Sequence, residues 1–241
     1  MSIPRLRHPV RWVAVAVAVI AVLAVAGPFV YIHFLDRAPA ALTLPATSAT
    51  AGAAPGGTET AGTTASTSIA GTWDAGAGSV VGYRVNEVLL GQNATAVGRS
   101  SSVTGHLTIS GTTVTAATFS VPMATIHSDK SQRDAQFDGR IMDVAAYPTS
   151  TFTLTRPIAL APVPAAGAVR DYTASGRLTL HGTTRAVTFS LRAELVNGRI
   201  EVTGSIPVLF ADYNIQNPSF AGFVTTQNHG TLEFLLVFTK S

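Results

Sequence analysis

Three observations predict an all-β fold, built as a closed antiparallel barrel of about eight strands with one short helix. Apolar and polar residues alternate with period two from Gly71 onward. Turn residues separate the runs at hairpin spacing. One charged stretch, Ser131 to Met142, lacks β-branched runs and reads as a short helix or ordered loop. Hairpin-spaced strands with a single helix favour a barrel over an α/β fold.

The elements before the barrel are read from composition. Residues 1–11 carry Arg5, Arg7, His8 and Arg11 and form a basic tail. Residues 12–35, WVAVAVAVIAVLAVAGPFVYIHFL, are apolar throughout. At 1.5 Å per residue they reach about 36 Å as a helix, enough for a hydrocarbon core of about 30 Å. Trp12 and Tyr31 stand near its ends, where amphipathic rings prefer the headgroup level. The basic flank leaves the N-terminus cytoplasmic and places the rest of the chain outside. A secreted chain is the alternative, with Ala24-Val25-Ala26 as a cleavage site. The apolar run continues past that site to Leu35, which favours a retained signal anchor. Residues 36–70 are rich in Ala, Thr, Gly, Ser and Pro. They hold too little apolar surface to offset ordering entropy, so a disordered tether is expected.

Residues 71–241 form the barrel domain. Its candidate strands are Ser79–Val85, Val103–Ile109, Val114–Val121, Thr151–Arg156, Tyr172–Leu180, Ala186–Val196, Arg199–Phe210 and Thr231–Thr239. Ser110-Gly111 and Asn197-Gly198 have the residues that tight hairpin turns require. The strand phase turns Phe119, Val121, Phe152, Leu154, Leu178, Leu180, Val187, Phe189, Leu191, Ile206, Val208 and Phe210 inward. An eight-stranded barrel is either plugged by such side chains or holds one small ligand.

Charge and cysteine usage exclude several functions. The sequence pI near 9.6 invites a nucleic-acid reading, but the excess is local. From Gly71 onward 12 Lys and Arg face 11 Asp and Glu, a net of +1, so no basic stripe exists for phosphate backbones. With no cysteine, disulfides, thiolate metal sites and Cys nucleophiles are ruled out. His106, His127, His181 and His229 are scattered without metal-ligand spacing, and no Gly-x-Ser-x-Gly elbow is present. No catalytic residue, metal site or cofactor is therefore expected, and the chain does not read as an enzyme.

The barrel region resembles the YceI-like domain family. The resemblance is carried by Thr72-Trp73-Asp74, Val103-Thr104-Gly105, Arg133-Asp134, Asp143-Val144, Tyr147-Pro148 before Phe152, and GRLTLHG at Gly176–Gly182. Asp212-Tyr213-Asn214-Ile215 and His229-Gly230-Thr231 extend it. It implies a lipocalin-like barrel, exported and lipid-binding, whose tunnel takes an isoprenoid chain. On that footing Phe119, Val121, Phe152, Leu154, Leu178, Leu180, Phe189, Leu191, Val208 and Phe210 are expected to wall the tunnel. Arg133, Asp134, Asp212 and Tyr213 are expected at its mouth, against a polar head group. Two structural alternatives stay open: Arg133 paired with an Asp to cap the helix, and turn roles for Asp212 and Asn214. The function expected is a membrane-tethered extracytoplasmic container for an isoprenoid or quinone-like lipid, for storage or transport. An enzyme acting on such a lipid, or a plugged barrel serving protein interaction, are the alternatives.

Overall fold

The computed structural model describes residues 17, 19, 20, 38–45, 68–220 and 224–241. The expected basic tail, most of the expected membrane helix and most of the linker lie outside the described residues. Val17, Val19 and Ile20 are helical and exposed. Among the described residues no helix is long and apolar enough to cross a membrane.

Among the described residues twelve strands form one antiparallel sheet: β1 Gly71–Ala75, β2 Val80–Leu89, β3 Gln92–Ser100, β4 Thr104–Ser110, β5 Thr113–Pro122, β6 Thr149–Leu154, β7 Ile158–Ala159, β8 Arg170–Leu180, β9 Thr183–Val196, β10 Arg199–Leu209, β11 Val224–Thr226 and β12 His229–Lys240. Eight of them run in the order β1-β4-β5-β6-β8-β9-β10-β12, and β12 returns to β1. The ring thus closes, which removes the unpaired edges an open sheet would expose. Helix α1, Ser131–Gln136, continues into a wide π-helical turn at Phe137–Ile141. Phe137, at the start of that turn, is buried in the core.

The tight turns have the expected chemistry. Asn197 and Gly198 both have positive φ, as do His181 and Gly182, matching the right-handed twist of the strands they join. The Ser110-Gly111 and Asn197-Gly198 turns mark one end of the barrel. At the other end stand the His181-Gly182 turn, the tip of the β2–β3 hairpin and α1; this is the mouth.

One stave of the wall is split. β1 pairs with Phe238–Lys240 of β12, and β2 with its Thr231–Leu235. Between them Gly76 N donates to the Val237 carbonyl at 2.8 Å, and Val237 N donates to Ser79 Oγ at 2.9 Å. Beyond this break β2 carries β3 on one side and β11 on the other, so a hairpin projects past the ring.

A short stretch of the linker is held against the outer wall. Arg84 Nη2 donates to the Pro39 carbonyl at 2.7 Å, Arg99 Nη2 to the Ala40 carbonyl, and Thr203 Oγ1 to the Leu42 carbonyl at 3.1 Å. Both guanidiniums also meet Glu233, at 2.6 Å from Arg84 and 3.2 Å from Arg99. Residues 38–45 therefore form a strap across β2, β3, β12 and β10, where composition alone had suggested free coil.

Candidate lipid cavity and its mouth

The inward faces of the ring enclose two apolar cavities. The larger holds about 210 Å³, an order of magnitude above the roughly 10–15 Å³ that one water needs. The smaller, toward the mouth, holds about 130 Å³. Gly82, Met123, Ile126, Leu180 and Leu232 line both, so the two spaces adjoin at these residues. An apolar space of this size offers water almost no partners, so it favours hydrocarbon over solvent.

Every predicted wall residue lines one of these spaces. Phe119, Val121, Phe152, Leu154, Leu178, Leu180, Phe189 and Leu191 face the larger cavity. Val208 and Phe210 face the smaller one, which Leu180 also reaches. The rings do not fill the centre because they stack along the wall. Phe189 packs edge-on against Phe152 and Phe234, with centroids 5.5 and 5.7 Å away. Phe234 lies over its cross-strand partner Gly204, where a Cβ would sit 2.5 Å from the ring's Cζ. Tyr83 does the same over Gly98, with only 2.3 Å to the nearest ring carbon. A side chain at either glycine would drive the ring toward the lumen.

The mouth residues divide. Arg133 lines the outer cavity, held by Asp129 and by Glu87 at 3.7 Å. Asp134, Asp212 and Tyr213 do not line either cavity. Asp134 accepts from Ser128 N at 2.8 Å and from Ser128 Oγ at 2.6 Å, tying the preceding loop to α1. Asp212 is exposed, and its carbonyl accepts from Arg185 Nε at 2.8 Å. Tyr213 is buried in the core with its hydroxyl pKa raised by that burial, and its carbonyl accepts from His181 Nδ1 at 3.0 Å. The turn role open for Asp212 is the one its geometry shows.

Sequence reasoning did not single out Tyr83. It stacks on Phe137 with ring centroids 5.1 Å apart and lines the outer cavity. Burial pushes its hydroxyl pKa up to about 12, with Arg133 acting in the opposite direction. The phenol stays protonated across the physiological range and presents an O–H donor beside the Arg133 guanidinium. Glu87, Thr226 and Thr231 also line the outer cavity, so its polar groups are both donors and acceptors, while the rest of its wall is largely hydrocarbon. Among the described residues no histidine lines either cavity, and no three of His, Asp and Glu are placed to hold a metal ion.

The family model for the YceI-like domain matches residues 72–238. A comparison with curated proteins returns no match. Among solved structures, the chain is similar to a polyisoprenoid binding domain from Saccharophagus degradans implicated in plant cell wall breakdown. Identity is 17%, the TM-score is 0.59, and 71% of this chain and 99% of that one are covered. It is also similar to BcnA of Burkholderia cenocepacia, at 19% identity and a TM-score of 0.50, covering 64% of this chain and 95% of that one. Likenesses at these identities establish the shared barrel.

Proposed function

This chain belongs to the YceI-like domain family, and from that membership we propose that its barrel encloses the tail of an isoprenoid-type amphipathic lipid, for storage or transport. The observation that carries the reading is the apolar cavity of about 210 Å³, adjoining an outer space where Tyr83, Arg133 and Glu87 supply polar groups. The solved polyisoprenoid binding domain of similar fold supports the choice of ligand class. A quinone-like head suits the mouth, since its carbonyls would accept from both donors.

The energetics support a tail-dominated affinity. Burying about 600 Å² of polyisoprenoid contributes on the order of 15 kcal/mol before costs. Ordering the chain and losing translation remove much of that. A head-group hydrogen bond adds only about 1 kcal/mol, so the wall sets affinity and the mouth sets orientation.

The proposal places the barrel outside the cytoplasm, anchored through the apolar run at residues 12–35 with the basic tail inside. Native mass spectrometry of the full chain, released from nanodiscs, tests the ligand. A retained lipid mass is expected. A barrel that is always empty, and whose melting temperature ignores added polyprenols and quinones, would overturn the reading.

A further inference from the structure

Large apolar side chains left exposed on the barrel domain gather at the mouth. Leu90 is 53% and Phe220 62% exposed, and Val88, Tyr147 and Leu209 are also exposed toward the same end. Leu90 caps the β2–β3 hairpin. Phe220 bridges to Val224, which pairs with Leu89, so the two exposed groups stand on adjoining strands. At the far end, among the described residues, only Val163 and Val169 in the loop before β8 are comparably exposed. Scattered apolar exposure is ordinary, but large apolar groups on adjoining strands at one tip mark a contact surface.

The strap says what that surface meets. Pro39 and Ala40 are bound to Arg84 and Arg99, on the two strands that run on to the hairpin tip. Only Asp36, Arg37 and Ala38 separate Pro39 from Leu35, the end of the apolar run. The four residue steps from Leu35 to Pro39 span at most about 14 Å. Arg84 precedes Leu90 by six positions, about 20 Å along an extended strand. A bilayer surface at the end of the anchor is thus no farther from the strap than the tip is. The long linker is not a leash between membrane and barrel, because the barrel is gripped before most of that linker begins.

We infer that the tip formed by Leu90 and Phe220 inserts into the interfacial layer of the bilayer that holds the anchor, seating the mouth on the membrane. The inference rests on the carrier reading for its purpose: a lipid then passes between bilayer and barrel without crossing water. A tip of a few apolar groups is suited to shallow insertion at the headgroup level, with β-strand backbone kept within the protein.

The chain has no cysteine, so single labels report position directly. Full-length Leu90→Cys, Phe220→Cys and Thr112→Cys variants, the last on the exposed far-end turn, are labelled with bimane. They are reconstituted in phosphatidylcholine nanodiscs doped with a lipid bearing a nitroxide near the top of its acyl chain. At least twofold quenching is expected at Leu90 and Phe220, with none beyond background at Thr112. Equal quenching at all three positions overturns the inference. Lipid retained by the same samples is weighed by native mass spectrometry. Retained lipid without tip quenching ends the docking proposal and spares the carrier reading; tip quenching without any lipid does the reverse.

Discussion

Phe234 on β12 lies edge-down over Gly204 on β10, its direct cross-strand partner, so closely that a Cβ would come within 2.5 Å of the ring. Phe152 lies as closely over Gly176, the diagonal neighbour two residues from its partner Leu178, at 2.3 Å. The aromatic groups thereby add apolar area to the wall without occupying the centre.

Gly204→Ala is expected to lift Phe234 into the lumen. The overpacking costs about 1–3 kcal/mol, and the retained lipid per barrel falls. Adding Phe234→Leu to the same chain should restore lipid retention. Unchanged lipid content and melting temperature in Gly204→Ala would show that the ring has somewhere else to go.

Leu180 lines both cavities and is nearly fully buried. Leu180→Trp should fill the space where the cavities adjoin. Binding of long polyprenyl chains should fall at least tenfold, about 1.4 kcal/mol, while a short prenyl alcohol still occupies the outer cavity. Titrations of intrinsic fluorescence with prenols of increasing length measure this. Equal losses for short and long chains would mean that the two spaces are not in series.

Tyr83 predicts a stability loss at high pH. Its folded pKa, near 12, stands above the unfolded value of 10.0, so the folded state binds the proton more tightly. Its contribution is fully present below pH 10 and is lost as pH rises toward 12, with an upper bound of about 3 kcal/mol. Chemical denaturation between pH 9 and 12 should show a fall that Tyr83→Phe flattens. Identical slopes in the two proteins would place the alkaline sensitivity elsewhere.

Glu233 is buried on the outer face between two guanidiniums that also grip the strap. Glu233→Gln removes their shared counter-charge and should cost about 1–3 kcal/mol, a drop of several degrees in melting temperature. Elastase cleavage at Ala40 and Ala41 should accelerate as the strap loosens. A variant with lower stability but unchanged cleavage would uncouple the ion pairs from the strap.

Much of the barrel was legible because period two survives burial. Each strand read from alternation exists, with ends shifted by a few residues, and all ten wall residues face a cavity. β3 escaped because QNATAVGRS does not alternate, and β1, β7 and β11 because they are too short to show a period. The mouth was harder. Asp134, Asp212 and Tyr213 are polar residues near loops, where hydrogen bonding to a neighbouring backbone and contact with a ligand leave the same trace in composition. Tyr83 was on a recognised strand, yet its role depends on stacking against Phe137, far along the chain, which only the fold brings together. The glycine–aromatic pairs likewise require register, which alternation leaves unset.

The split stave gives the molecule two separable halves. Ring closure rests on β1, which pairs with both β4 and β12, whereas β2 meets β12 through five residue pairs and runs on past the ring between β3 and β11. Peeling β2 outward would enlarge the opening and still leave the circle of hydrogen bonds unbroken at the opposite end. Amide protons of Val80 to Leu89 should accordingly exchange through a cheaper local event than those of Leu236 to Phe238. On the carrier reading, a guest would then pass at the cost of one local opening, with the rest of the vessel intact.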